Sequence, residues 1–226
     1  MNQRSTFPFA SLLLLALLSL TACETVSVSR VRKTSRTFTT VVLDAGHGGH
    51  DNGATRKGLM EKNLTLDVVK RLDGKLRDNG FQTVTTRRSD VFIPLDDRAR
   101  ISNRQQNAIF VSIHFNDCNN KKANGFETFY HDTEAKQIAR NIETSLVRTC
   151  AFADRGIKTA RFRVLVKNEN PAVLVECGFL SNPKENATIA QPETRERIAD
   201  AVCKGILIQR GGPLRTPLSN PASGAE

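Results

Sequence analysis

Apolar positions along the chain switch repeatedly between two spacings. Thr40-Val41-Val42-Leu43-Asp44 is a short β-branched run stopped at Gly46, which predicts a buried strand. From Lys62 to Arg77 the spacing changes: Leu64, Val68, Leu72 and Leu76 recur every four residues and form one helical face, closed by Asn79-Gly80. Phe81 to Arg87 sets Phe81, Thr83 and Thr85 against Gln82, Val84 and Thr86, which predicts a second strand. Leu95 to Gln106 is then helical, Ile109 to His114 a strand, Gly125 to His131 a strand, and Thr133 to Arg148 a helix. Phe162 to Val166 and Ala172 to Cys177 read as strands, and Glu193 to Gln209 as a final helix with Ile198, Val202 and Ile206 aligned. Strand–helix alternation with short connections predicts an α/β sandwich around a largely parallel sheet, one domain over residues 40–210. In such sheets the active site gathers where strands end.

Composition narrows the class. The 226 residues are 39% hydrophobic and 25% charged, enough apolar material for a real core. That excludes collagen, coiled coil, a disulfide-packed miniprotein and wholesale disorder, and a single long apolar run excludes a multi-span membrane protein. Lys+Arg exceeds Asp+Glu by 33 to 23, giving a net charge of +10. A basic chain favours anionic partners: nucleic acid, anionic lipid or an acidic polymer. The absence of Trp and the single Tyr disfavour base stacking, and so a nucleic-acid role.

The long apolar run lies at the start. Arg4 supplies a positive n-region, and Phe7 to Leu20 has the length of a secretory h-region rather than a membrane span. It ends in Leu20-Thr21-Ala22-Cys23, which resembles the bacterial lipobox. Residues 1–22 then form a lipoprotein-type signal peptide, and Cys23 is lipidated and becomes the new N-terminus. An ordinary signal peptide that leaves a free cysteine is the alternative. Glu24 after the cysteine leans towards the outer membrane, so the expected location is the periplasm, held by a lipid anchor. Residues 23–39 read as a basic, Ser/Thr-rich tether and residues 211–226 as a flexible tail. Cys118, Cys150, Cys177 and Cys203 remain, an even count that permits two disulfides in an oxidising compartment.

The candidate chemistry sits at strand ends. His47 follows the first strand inside Asp44-Ala45-Gly46-His47-Gly48-Gly49-His50, where glycines let the backbone turn sharply. His114 ends the strand Ile109 to His114, and Glu61 opens the first long helix. Two imidazoles and a carboxylate are a catalytic zinc set with one position left for water. Zinc in such a set brings the pKa of water to about 7 and polarises a carbonyl. Each residue also has a plainer reading: a hydrogen-bonded structural histidine, or a glutamate complementing a helix dipole. Glu176 follows four apolar positions in Pro171-Ala172-Val173-Leu174-Val175-Glu176. It is either a proton carrier whose pKa burial shifts, or a strand-end carboxylate paired with an arginine.

With these residues the sequence resembles the zinc-dependent N-acetylmuramoyl-L-alanine amidases of the amidase type 3 family, bacterial cell-wall hydrolases. The matching segments run in family order: Leu43 to Gly49; Gly58-Leu59-Met60-Glu61-Lys62; Thr86-Arg87; Arg98; Val111 to Asn116; Gly125-Phe126-Glu127; Arg155-Gly156-Ile157-Lys158; and Val175 to Asn182. The resemblance implies a three-layer α/β/α fold around a twisted, mostly parallel six-stranded sheet. It implies one Zn²⁺ per chain on His47, Glu61 and His114, with Glu176 as general base and acid. The implied reaction cleaves the amide between N-acetylmuramic acid and L-alanine of the stem peptide, for cell-wall remodelling or daughter-cell separation. Peptidoglycan is the implied partner, with Arg155 and Asn116 as substrate contacts, and the chain is expected to be a monomer. Relatives that are held inactive carry a blocking helix before the strand at Gly125; only Asp117 to Asn124 fills that gap, too short for one, so no activator is expected. Ala45 stands where many relatives have Pro, and Cys177 where a small residue is common. Two rival classes share the pattern: another zinc amide hydrolase, such as a peptidase or sugar deacetylase, and a non-catalytic peptidoglycan-binding lipoprotein.

Overall fold

The computed structural model describes residues 37–212. The signal segment, Cys23, most of the tether and the tail beyond Gly212 lie outside the described residues. The elements are β1 (Thr40–Ala45), a small hairpin of β2 (Thr55–Arg56) and β3 (Leu59–Met60), α1 (Glu61–Asp78), β4 (Gln82–Thr85), α2 (Leu95–Asn103), β5 (Ala108–Asn116), β6 (Phe126–Tyr130), α3 (Lys136–Thr149), β7 (Asp154–Thr159), α4 (Arg163–Val166), β8 (Ala172–Phe179), α5 (Pro183–Ile189) and α6 (Pro192–Arg210). Six strands form one sheet in the order β4-β1-β5-β8-β6-β7. All its pairings are parallel except β6 with β8. The mostly parallel six-stranded sheet is therefore present, with helices on both faces.

One expected strand is corrected. Phe162 to Val166 contains the one-turn helix α4, and the sixth strand is instead β7, Asp154–Thr159. Val164 and Leu165 turn inward together onto the second core, which a five-residue apolar run allows in either conformation. The strand β7 is a polar edge whose pairing with β6 defines it, so it carries no apolar alternation. The hairpin β2–β3 and the helix α5 are likewise additions to the sequence reading. Asn182 caps α5, its side chain accepting from the backbone N–H groups of Lys184 and Glu185, with Pro183 at the first helical position.

Period-two alternation divides the sheet's side chains between two cores. Val41, Leu43, Val111, Ile113, Val173 and Val175 pack towards α1, α3 and α6. Val42, Phe110 and Leu174 point the other way, onto α4. The same alternation sends Asp44, Ser112, His114 and Glu176 to that second face. The cleft opens on that face, lined by residues of α2 and α4 together with Asp44, His114 and Glu176.

The four cysteines of the described domain are free thiols. Burial pushes the thiols of Cys150 and Cys203 up to about 11, so they behave as core residues.

Glu143 on α3 is a buried carboxyl. Its Oε2 accepts the Thr128 hydroxyl at 2.7 Å, and its Oε1 receives no hydrogen bond. Burial, reinforced by the Asp154 carboxylate, raises its pKa from 4.5 to about 7. The folded chain thus holds this proton more tightly than the unfolded chain. The stability it supports is complete below pH 4.5 and is lost as pH rises towards 7. Glu143→Gln keeps an acceptor for Thr128 and cannot ionise. Urea denaturation across pH 4–8 is expected to show the variant equal to the parent at low pH and about 1–2 kcal/mol more stable at pH 8, after discounting for partial solvent screening. An unchanged difference across that range would show that Glu143 does not titrate in it.

Candidate active site

The site begins with a strained turn. β1 ends at Ala45, and His47 adopts φ 60°, a left-handed conformation unusual for a residue with a Cβ. Two buried arginines hold the turn by its carbonyls. Arg98 donates through Nη1 to Ala45 O (2.7 Å) and through Nη2 to His47 O (2.7 Å). Arg87 donates through Nε to Ala45 O (2.9 Å) and through Nη2 to Gly46 O (2.8 Å). Thr65 of α1 adds its hydroxyl to Gly46 O at 2.8 Å. Arg98 is itself anchored by Asp44 at 2.8 Å, both groups being buried. Burial would raise the Asp44 pKa, but Arg98 and the hydroxyls of Ser112 and Thr86 outweigh it and hold the carboxyl below its usual range.

Gly46 is required by packing. A Cβ there would lie 2.3 Å from the His114 ring. Gly53 is required twice over: its φ is +61°, and a Cβ would lie 2.5 Å from Glu61 Oε2. That space lets Glu61, at the first turn of α1, lie under both imidazoles.

His47, Glu61 and His114 converge. Glu61 Oε1 lies 3.1 Å from His47 Nε2 and 2.9 Å from His114 Nδ1. One ligand atom from each residue falls within 4.8 Å of the other two. Glu61 is held independently of the histidines, Oε2 accepting Ala54 N–H at 2.9 Å and Oε1 accepting Phe115 N–H at 3.0 Å. Burial would raise its pKa, yet the two imidazoles drive it well below the carboxylate range. Burial would lower the His47 pKa, but Glu61 and Asp51 raise it to about 9; His114 is raised by Glu61 against the same burial. Two bases and a fixed anion drawn together in this way form a donor set suited to a divalent cation such as zinc.

Glu176 completes the cleft. It pairs with His114 across β5 and β8 and with Glu127 across β6 and β8. Its Oε2 is buried and has no hydrogen-bond partner. Burial pushes its pKa from 4.5 up to about 7, against the pull of the two histidines. An unpartnered carboxyl held near neutrality beside a cation site can take up a proton and release it again. His47, His114 and Glu176 line one cavity of about 480 Å³, walled by Phe92, Leu95 and Phe162.

Arg155 and Asn116 sit outside that lining. Arg155 pairs through Nε with Glu127 and lies 5.0 Å from the centre of the Phe179 ring. Asn116 ends β5, its carbonyl accepting Leu180 N–H at 2.8 Å. Residues 117–124 form a loop with a turn at Lys121-Lys122 and no helix.

The sequence reading gave no role to Asp51, whose Oδ2 lies 2.8 Å from His47 Nδ1. Its Oδ1 accepts Gly53 N–H at 3.0 Å. The carboxylate fixes the ring so that Nε2 faces Glu61, the outer-shell device of many metal-binding histidines. An Asp four positions after a Gly-flanked His is the only sequence signal for it. Asp51→Asn is expected to weaken zinc binding about 10- to 100-fold in a chelator competition titration. Unaltered affinity would leave Asp51 without a part in orienting His47.

A family model described as N-acetylmuramoyl-L-alanine amidase matches residues 41–207. Among curated proteins, the N-acetylmuramoyl-L-alanine amidase LytC of Bacillus subtilis is 35% identical over 170 residues, covering 74% of this chain and 34% of LytC. The chain therefore spans about a third of that relative. Among solved structures, an N-acetylmuramoyl-L-alanine amidase from Clostridium difficile 630 is 35% identical with a TM-score of 0.73, covering 76% of this chain and 96% of its own. The amidase AmiC2 of Nostoc punctiforme is 38% identical with a TM-score of 0.72, covering 75% and 95%.

Proposed function

Because the chain belongs to the N-acetylmuramoyl-L-alanine amidase family, a family of enzymes, we propose that it is a zinc-dependent amidase acting on peptidoglycan. It cleaves the amide between the lactyl group of N-acetylmuramic acid and L-alanine of the stem peptide. The observation that carries this reading is the convergence of His47, Glu61 and His114 within 4.8 Å, in one cleft with the unpartnered carboxyl of Glu176.

His47, Glu61 and His114 are the residues that would hold Zn²⁺. Bound there, zinc supplies Lewis acidity towards the scissile carbonyl and acidifies water. The remaining work belongs to the chain. Asp51 and the buried arginines hold His47 in place, so the donor atoms are set before substrate arrives. The Glu176 carboxylate accepts a proton from the attacking water and delivers it to the departing alanine nitrogen. Its raised pKa suits both halves of that exchange. Arg155 and Asn116 remain proposed substrate contacts; for Arg155 this requires a carboxylate of the stem peptide to share its guanidinium with Glu127.

Residues 40–210 are the proposed catalytic domain. Cys23 is the proposed lipid anchor, placing the enzyme in the periplasm at the outer membrane, where peptidoglycan is within reach. The loop at 117–124 leaves the cleft without a blocking helix among the described residues, which supports action without an activator. The proposed role is wall remodelling or daughter-cell separation.

The test is mass spectrometry of purified peptidoglycan digested by the full chain in detergent, with and without a chelator. Free stem peptides beginning at L-alanine, abolished by chelation and restored by zinc, are expected. Cleavage at another bond would move the enzyme to the peptidases, and intact muropeptides despite bound zinc would point to a binding protein.

A further inference from the structure

The two flanks of the catalytic cleft differ in chemistry. Along one, Val91, Phe92 and Leu95 precede or begin α2, and Phe162 precedes α4; each is between 40 and 51% exposed. They are four of the five exposed large hydrophobic residues in the described chain, the fifth being Ile208 on α6. Exposed apolar side chains gathered at one rim mark a contact surface. Two ion pairs lie on this flank: Arg163 with Asp96 at 2.5 Å, and Lys62 with Asp90 at 2.8 Å.

The other flank is cationic. Beyond the ends of β5 and β8 lie two adjoining hollows of about 370 and 610 Å³, which share Lys121 and Pro183. Arg56 and Lys57 stand at one end, Lys122 and Lys184 at the other. Arg56 is paired with Asp117 at 2.7 Å. The exposed ammonium groups of Lys57, Lys121, Lys122 and Lys184 form no ion pair among the described residues. The acid of this groove, Glu185, is already committed, accepting the backbone N–H groups of Gly125 and Phe179 at 2.7 Å each. The groove is joined to the site along the chain on two sides: the hairpin bearing Arg56 leads directly into Glu61, and the loop bearing Asp117 follows His114.

The proposed substrate is asymmetric in the same sense. On the acyl side of the scissile amide are a lactyl methyl, an acetamido methyl and sugar-ring C–H faces, all uncharged. On the amine side the stem peptide carries free carboxylates. Resting on the amidase reading, we infer that the substrate lies in one direction only. The muramoyl unit packs on the Phe92–Leu95–Phe162 wall, and the stem peptide runs out along the Lys57–Lys121–Lys184 groove. Aromatic rings take the sugar faces, and the unpaired ammonium groups meet the carboxylates. The amide is thereby presented with its carbonyl carbon towards the apolar wall and its nitrogen towards the groove.

The test uses the zinc-loaded full chain in detergent and three soluble substrates: N-acetylmuramoyl-L-alanine, N-acetylmuramoyl-tripeptide and a lactoyl-tripeptide without the sugar. Lys57→Gln/Lys121→Gln/Lys184→Gln is expected to lower the preference for muramoyl-tripeptide over muramoyl-L-alanine about tenfold, mainly through KM, the order expected for three exposed charges. The parent enzyme's preference is expected to shrink as salt rises from about 0.05 to 0.5 M. Phe92→Ser/Phe162→Ser is expected to lower kcat/KM on both muramoyl substrates and to lose much less on the lactoyl-tripeptide. Thermal melts of each variant establish that these exposed changes leave the fold intact. Equal effects of the lysine changes on both muramoyl substrates, or equal effects of the phenylalanine changes with and without the sugar, would overturn the inference. Failure of the parent enzyme to cleave any of the three would instead remove the amidase reading, and the inference with it.

Discussion

Glu176→Gln is expected to lower kcat on muramoyl peptides by about 10²–10⁴-fold while the protein still binds zinc. The substitution keeps the size and shape of a half-buried side chain that lines the cleft. What it removes is the exchangeable proton. In the parent, burial holds the carboxyl near pH 7 with one oxygen unpartnered, so taking a proton from water and returning it to an amine are both within reach. A carboxamide does neither. Because Glu176 is not one of the three converging donors, zinc content and affinity should remain close to the parent's. Steady-state kinetics with metal analysis of the same preparation separates the outcomes. A metal-replete variant with near-parental turnover would exclude Glu176 as the proton carrier. Loss of zinc together with activity would show that it serves the metal set instead.

The largest effect on stability is expected at Arg98. Its guanidinium donates to Asp44, Ala45 O, His47 O and Ile93 O, all at 2.7 or 2.8 Å, and it is only 2% exposed. Arg98→Met fills much of the volume but strands the Asp44 carboxylate, 1% exposed, with two hydroxyl donors. Breaking a buried pair in this way costs about 3–5 kcal/mol, a large share of the about 5–15 kcal/mol that holds a typical domain together. Chemical denaturation should show it as a lower midpoint. Asp44→Asn in the same chain removes the stranded charge, so the double variant should be more stable than the sum of the two single losses predicts. Strict additivity would mean that the two side chains are not energetically coupled. Arg98→Met also releases the carbonyl of His47, so zinc affinity should fall along with stability. That links the frame of the fold to the chemistry of the site.

Much of this arrangement could be read from residues alone. The period-two runs at β1, β5 and β8 and the four-residue spacing in α1 and α6 reflect local packing. They set His114 and Glu176 near the ends of two buried strands, and the register of β5 with β8 then puts both on one face. The Gly-flanked His47 and the start of α1 at Glu61 are also local features. Other parts of the structure have no local signature. Phe162 to Val166 is apolar enough for either a strand or a turn of helix, and only its contact with the second core selects the helix. The strand β7 is largely polar and half exposed, and exists through its hydrogen bonds to β6. Arg87 and Arg98 read in sequence as parts of the family pattern with no role attached; buried beneath the His47 turn, they are what hold it. The sequence by itself determined most of the order of elements, the family resemblance and the four candidate groups of the site. Only the tertiary structure decided which charges are paired, that Asp51 fixes His47, and that the cleft is apolar on one flank and cationic on the other. Hydrophobic periodicity is written by neighbours a few residues apart. The partner and the solvation of a charge are set by segments far apart in the chain, which meet only once the sheet has formed.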